Sequence, residues 1–146
     1  MRIRSAEPRD FDAVTALLES LGRAQVTNET RDRCREIYAT QLSDPRANHL
    51  VAEDEGGEVV GFCSLHFRRR LNYPTPQAWV PDLIVAERAR RTGIGRRLLE
   101  HAERRASERG CWEITLESGH QRVEAHELYR NFGMLEAGRY FRKPLG

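Results

Sequence analysis

Between Leu83 and Leu99 the chain reads Leu-Ile-Val-Ala-Glu-Arg-Ala-Arg-Arg-Thr-Gly-Ile-Gly-Arg-Arg-Leu-Leu. An apolar strand and a basic bend with glycines at 93 and 95 lead directly into a helical pattern. Ile94, Leu98, Leu99, Ala102 and Ala106 share one face of that helix, which runs to Gly110. Such a segment calls for a sheet with a helix laid against it. Backbone N–H groups in the bend point at a common centre, and the helix start adds partial positive charge. Glycine admits an anion without a Cβ in the way, and Arg90, Arg91 and Arg96 add full charges. On physical grounds this is a cradle for a pyrophosphate. The blander reading is a glycine bend that caps an ordinary helix. A nucleoside-triphosphate loop is excluded because no Gly-Lys-Ser/Thr is present, and Leu98 stands where the dinucleotide fingerprint needs its third glycine.

The remaining chain supplies elements to surround that segment. Ile3 and its neighbours read as a first strand. Glu7-Pro8 opens a helix whose Phe11, Val14, Leu17, Leu18 and Leu21 line one face before Gly22. A second helix is expected from Thr30 to Leu42, with Cys34, Ile37, Tyr38 and Leu42 inward, ending at Asp44-Pro45. His49 to Glu53 and Glu58 to Phe67 flank a polar turn and read as a hairpin. A loop from Arg68 to Gln77 precedes the strand Ala78 to Val85, central in its apolar character, with a bulge at Pro81. Trp112, Ile114 and Leu116 alternate with Glu113, Thr115 and Glu117 as a strand covered on one side. A fourth helix follows from Arg122 to Asn131, and Leu135 to Arg142 reads as one or two closing strands.

The chain has 146 residues, 39% hydrophobic and 32% charged, so one soluble domain spanning 1–146 is expected. No apolar run is long enough for a membrane span, and Met1-Arg2-Ile3-Arg4 opens no secretory stretch. Cys34, Cys63 and Cys111 are scattered and odd in number, which argues against a disulfide framework and a four-ligand zinc site and for a reducing cytoplasm; no metal is expected. A formal charge of +2 argues against a nucleic-acid partner. Every basic residue except Lys143 is arginine, and Arg68-Arg69-Arg70 and Arg88 to Arg97 are local concentrations able to meet phosphate.

Arg90-x-x-Gly93-x-Gly95 after an apolar strand resembles the acyl-CoA motif of the GNAT superfamily of N-acetyltransferases. Ala125-His126-Glu127-Leu128-Tyr129-Arg130-Asn131-Phe132-Gly133-Met134 resembles that superfamily's Ala-x-x-x-Tyr-x-x-x-Gly-Phe segment, and the element order matches its fold. The resemblance implies an α/β (α+β) fold: a mixed, mostly antiparallel sheet of six to seven strands with about four helices, splayed between its central strands. It implies that acetyl-CoA enters where the strand Leu83 to Val85 parts from the strand Trp112 to Glu117. Backbone groups along Leu83, Ile84 and Val85 then hold the pantetheine arm, with Ile84 and Val85 the main holders. Amides of Arg91, Thr92, Gly93, Ile94, Gly95 and Arg96 hold the pyrophosphate. The amine attacks the thioester directly, so no cysteine nucleophile is needed and all three cysteines read as structural. Two departures stand out: Arg122 replaces a cofactor-contacting asparagine, and Met134 replaces phenylalanine.

Tyr129 matches the family tyrosine near the sulfur, where its hydroxyl would serve as general acid for the leaving thiolate; the alternative is a core aromatic. For the base that takes the ammonium proton, Asp82 and Glu117 are the best-placed carboxylates, each equally readable as a solvated strand residue or an ion-pair partner. His126 and His120 are weaker candidates. The expected acceptor is a primary amine of a small molecule or a protein. Asp32, Glu36 and Asp44 would attract a cationic acceptor, unless they are simply a charged helix face. Exposed sheet edges and an apolar C-terminal strand are compatible with a homodimer. The competing function is a non-catalytic acyl-CoA-binding sensor or regulatory module.

Overall fold

The computed structural model describes residues 1–118 and 122–146, which fall into two compact units, Met1–Leu116 and Glu117–Gly146. The first unit opens with strand β1 (Arg2–Ser5), a short 3-10 turn from Pro8 and helix α1 (Phe11–Ser20), followed by helix α2 (Arg31–Ser43). Strands β2 (Leu50–Glu53), β3 (Val59–Cys63), β4 (His66–Arg68), β5 (Gln77–Val80) and β6 (Leu83–Val85) come next. Helix α3 (Ile94–Glu108) and strand β7 (Glu113–Leu116) complete it. The second unit holds helix α4 (Val123–Asn131).

The strands form two sheets, β1-β2-β3-β6 and β4-β5-β7, antiparallel throughout except for β5 beside β7. Of the two long strands read from the sequence, both are interrupted. Ala78 to Val85 breaks at Pro81-Asp82, and Glu58 to Phe67 breaks at Ser64-Leu65. The expected bulge at Pro81 is therefore a full change of sheet: β5 belongs to one and β6 to the other. Proline has no N–H to give a ladder, which favours an interruption at that point. No strand is found over residues 135–142, where Leu135, Tyr140 and Phe141 are exposed, so the expected closing strands are absent among the described residues. A closing strand needs a paired edge and a covered face, and the apolar pattern of that stretch specifies neither.

The core sits on both faces of the four-stranded sheet. Val14 and Leu17 of α1 pack on Val51, Phe62 and Ile84. On α3, Ile94, Leu98, Leu99, Ala102 and Ala106 are all buried, as the sequence spacing predicted. Gly61 sets how closely α3 approaches β3. A Cβ there would meet Leu98 Cδ1 at 3.0 Å, Ile94 Cγ2 at 3.1 Å and Ala52 Cβ at 3.3 Å. Helix α2 buries only Tyr38, whose hydroxyl donates to the Glu7 carbonyl at 2.6 Å; Ile37, expected inward, is exposed. The entry to α1 is tied down by a buried ion pair. Arg4 donates twice to Asp10, at 2.7 and 2.9 Å, and once to Glu53 at 2.5 Å, while Asp10 also accepts from the Glu7 N–H at 2.8 Å.

Candidate functional site

The bend between β6 and α3 takes its shape from two left-handed residues, Arg91 at φ 64° and Gly93 at φ 82°. Nothing lies within 4 Å of a Cβ built on Gly93, so glycine is favoured there by its dihedral rather than by crowding. Gly93 is the N-cap of α3, and its carbonyl starts the helix by accepting from the Arg97 N–H at 3.1 Å. The N–H groups of a first helical turn have no acceptor within the helix and carry the positive end of the dipole. No acidic side chain occupies that turn. Side-chain contacts brace the bend, among them a bond from Thr92 Oγ1 to the Ala89 carbonyl at 2.5 Å. Arg90 Nε donates to the Val85 carbonyl at 3.2 Å, and Arg88 pairs with Glu58 at 2.7 Å. Arg96 pairs with Glu100 along the helix at 3.1 Å.

Strand β6 pairs with β3 in the register Gly61–Val85, Phe62–Ile84 and Cys63–Leu83. The Ser64 N–H donates to the Asp82 carbonyl at 2.9 Å and the Ala86 N–H to the Val60 carbonyl at 2.7 Å. In an antiparallel ladder this alternation gives the peptide groups of Ile84 to β3 and turns those of Leu83 and Val85 to the opposite side. Ile84, expected as an arm-holding residue, thus spends its backbone on Phe62 and its side chain on the α1 core. Parallel pairing of β5 with β7 runs from Gln77–Glu113 to Val80–Leu116 and stops before Pro81. Among the described strands, β6 therefore has a neighbour on one side only.

The interruption is held together by Asp82 and by two polar residues to which the sequence assigned no role, Ser64 and His49. Ser64 Oγ accepts from the Asp82 N–H at 2.8 Å and lies 3.3 Å from the Asp82 carboxylate. The Leu65 N–H donates to His49 Nδ1 at 3.1 Å, leaving Nε2 to donate to Gln41 Oε1 at 2.6 Å, so His49 is a neutral imidazole serving as a strand partner. Burial, with the nearby His66 adding to it, pushes His49 down to about 4. Burial also lowers His66, against the opposing pull of Asp82 and Asp44. Cys63 is fully buried and its thiol is pushed up to about 12, chiefly by burial, which suits a structural residue. A polar residue inside an apolar run was the available signal for Ser64, and a glycine inside a strand was the signal for Gly61. For His49 no sequence signal distinguished it.

Asp82 lies at the break itself, with Arg23 on its carboxylate at 2.7 Å. Glu117 is exposed immediately after β7. In the second unit Tyr129 is the buried residue of α4, while Leu128 and Phe132 are only half-buried. Gly133, at φ 95°, ends α4, and the Met134 N–H returns to the Tyr129 carbonyl at 3.0 Å. Arg122 is the N-cap of α4 and His126 is half-buried on it; His120 lies outside the described residues. Of the acidic residues expected to attract an acceptor, Asp32 is exposed, Glu36 pairs with Arg33 at 2.9 Å and Asp44 pairs with Arg46 at 3.0 Å.

A one-sided strand running into a left-handed glycine at a helix start is the arrangement that the resemblance to the GNAT superfamily implies for an acyl-CoA cradle. Residues 13–134 match the model of the family described as "Acetyltransferase (GNAT) family". The chain belongs to that family and is an acetyltransferase. It is 30% identical over 143 residues to an aminoalkylphosphonate N-acetyltransferase of Salmonella typhimurium, covering 98% of this chain and 90% of that one. It is 28% identical to an aminoglycoside N(6')-acetyltransferase type 1 of Serratia marcescens, with 94% of each chain covered. Among solved structures it is similar to a putative acetyltransferase of Agrobacterium tumefaciens, with a TM-score of 0.86, 23% identity, and 99% and 100% of the two chains covered.

Proposed function

We propose that this protein moves an acetyl group from acetyl-CoA to a primary amine of a small molecule or protein by direct attack of the amine on the thioester. The observation that carries this reading is β6, paired on one side and turning the peptide groups of Leu83 and Val85 the other way, directly before the Gly93 bend. Those two residues hold the pantetheine arm. Amides from Arg91 through Thr92, Gly93, Ile94 and Gly95 to Arg96 take the pyrophosphate, helped by the guanidinium of Arg90. In the reaction the amine nitrogen bonds to the acetyl carbon as the carbon–sulfur bond breaks. Tyr129 gives a proton to the departing thiolate, and Asp82 or Glu117 removes one from the amine, directly or through water. The relatives named for aminoalkylphosphonates and aminoglycosides support a small-molecule amine as acceptor. The family match spans both units, which supports one acetyltransferase domain over 1–146. Unpaired cysteines at 34, 63 and 111 fit a cytoplasmic enzyme.

The test is release of free thiol from acetyl-CoA across a panel of amines, run beside thermal melts with the coenzyme. Thiol release with at least one amine and a raised melting temperature are expected. A raised melting temperature without thiol release would reduce the protein to a binding module. The absence of any shift at millimolar coenzyme would remove the cradle.

A further inference from the structure

At the end of the sheet away from the glycine bend, a concavity opens between the C-terminus of α2, the strands β4 and β5, and the residue that follows α3. Its lining includes four arginines, Arg46, Arg68, Arg69 and Arg109, against a single carboxylate, Asp44. Only Arg46 is matched by that carboxylate, with bonds of 3.1 and 3.0 Å. The other three lean on neutral acceptors: Arg68 Nε on Gln77 Oε1 at 2.8 Å, Arg69 on the Pro74 carbonyl at 3.2 Å, and Arg109 on the Pro45 carbonyl at 2.5 Å. These bonds fix the guanidinium groups without cancelling their charge.

Two of the three are fixed further by aromatic faces. The Arg68 guanidinium stands 4.6 Å from the Trp79 ring centroid and that of Arg109 stands 4.4 Å from Phe67. Arg68 gains a second brace, because Gln77 in turn donates to Glu113 at 2.7 Å. Forks held in this way lose little freedom when they meet an oxyanion. Three uncancelled positive charges around one hollow match a tetrahedral dianion better than a lone carboxylate.

The hollow approaches the strand break through His66, which lines it and lies near enough to Asp82 to feel that carboxylate's charge. His66 and Trp79 face each other across β4 and β5, with rings 5.5 Å apart, and both line the concavity. Trp79 lies roughly 10 Å along the chain from Asp82, the rise of three extended residues. Asp82 marks the point where β5 gives way to β6 and hence where the thioester end of the arm arrives. We propose that the concavity holds the phosphonate or phosphate-ester end of an acceptor whose amine, a few methylenes away, lies at the break beside Asp82. This rests on the acetyl-transfer reading above and narrows it: the acceptor is an amine that carries a tetrahedral oxyanion. A polycationic aminoglycoside would face like charge in this hollow and is disfavoured.

Two measurements on the full chain test the idea. In thiol-release kinetics, 3-aminopropylphosphonate is expected to exceed propylamine about tenfold or more in kcat/KM, the effect of a charge-assisted contact. That ratio should collapse in Arg68→Gln and in Arg109→Gln. Pairing 2-aminoethylphosphonate with phosphoethanolamine separates a phosphonate from a phosphate-ester acceptor. Equal rates for phosphonate and plain amines, a preference surviving both substitutions, or faster turnover of an aminoglycoside would each overturn the proposal. Calorimetric titration with methylphosphonate gives an answer independent of turnover. Binding kept in Gly93→Val and lost in the two arginine variants places the anion in the concavity. No binding to the wild-type chain, or loss in Gly93→Val alone, refutes it. Should no amine release thiol, the acetyl-transfer reading fails while this titration still decides the concavity.

Discussion

Ser64 and Asp82 face each other where both long strands are interrupted, and they exchange main-chain contacts through a side chain. The Ser64 N–H reaches the Asp82 carbonyl at 2.9 Å, while the Asp82 N–H is received by Ser64 Oγ at 2.8 Å instead of by a carbonyl. Replacing Ser64 by valine removes that acceptor and strands the Asp82 N–H. A loss of about 1–3 kcal/mol is expected in urea unfolding, with Ser64→Thr much closer to wild type. Equal stability of serine and valine proteins would show that water or another group serves the Asp82 N–H.

His49 makes stability depend on pH in a fixed direction. Its folded value of about 4 lies below the ordinary 6.5, so the folded chain refuses a proton that the unfolded chain takes up. Above pH 6.5 neither state binds it and there is no penalty. Stability then falls as pH drops from 6.5 towards 4, by up to about 1.4 kcal/mol per pH unit, and the loss saturates below that window. His66 is shifted in the same direction and steepens the fall. Unfolding free energies measured across that range should show the slope, and His49→Gln should flatten it. A variant with an undiminished slope would move the effect to other groups.

Gly93→Val forces a β-branched side chain into φ 82°. Strain of roughly 1–2 kcal/mol is expected in the melt. Because the bend can relax only by turning its amides, coenzyme affinity measured by calorimetry should fall far more than stability does. Unchanged affinity would place the phosphates elsewhere.

Tyr129→Phe keeps the buried ring and deletes only the hydroxyl. Under the general-acid role, turnover should fall on the order of a hundredfold with coenzyme affinity little changed. A variant at full speed would return Tyr129 to the status of a core aromatic.

Local regularities carried much of this protein's design. The spacing of Ile94, Leu98, Leu99, Ala102 and Ala106 sufficed to place α3 and its buried face, because a helical stripe repeats whatever the partner. The Gly-x-Gly bend was legible for the same reason: a left-handed residue at a helix start is a local demand, met by Gly93. Folding alone decided which peptide groups face which way. Whether Leu83, Ile84 or Val85 turns away from its neighbour depends on register with β3, and register is a relation between distant segments. The sheet boundary at Ser64 and Asp82, the recruitment of His49 as a strand partner, and the convergence of Arg46, Arg68 and Arg109 on one hollow are likewise long-range events. Periodicity reports which side of an element is buried, and it is silent on what lies across from it.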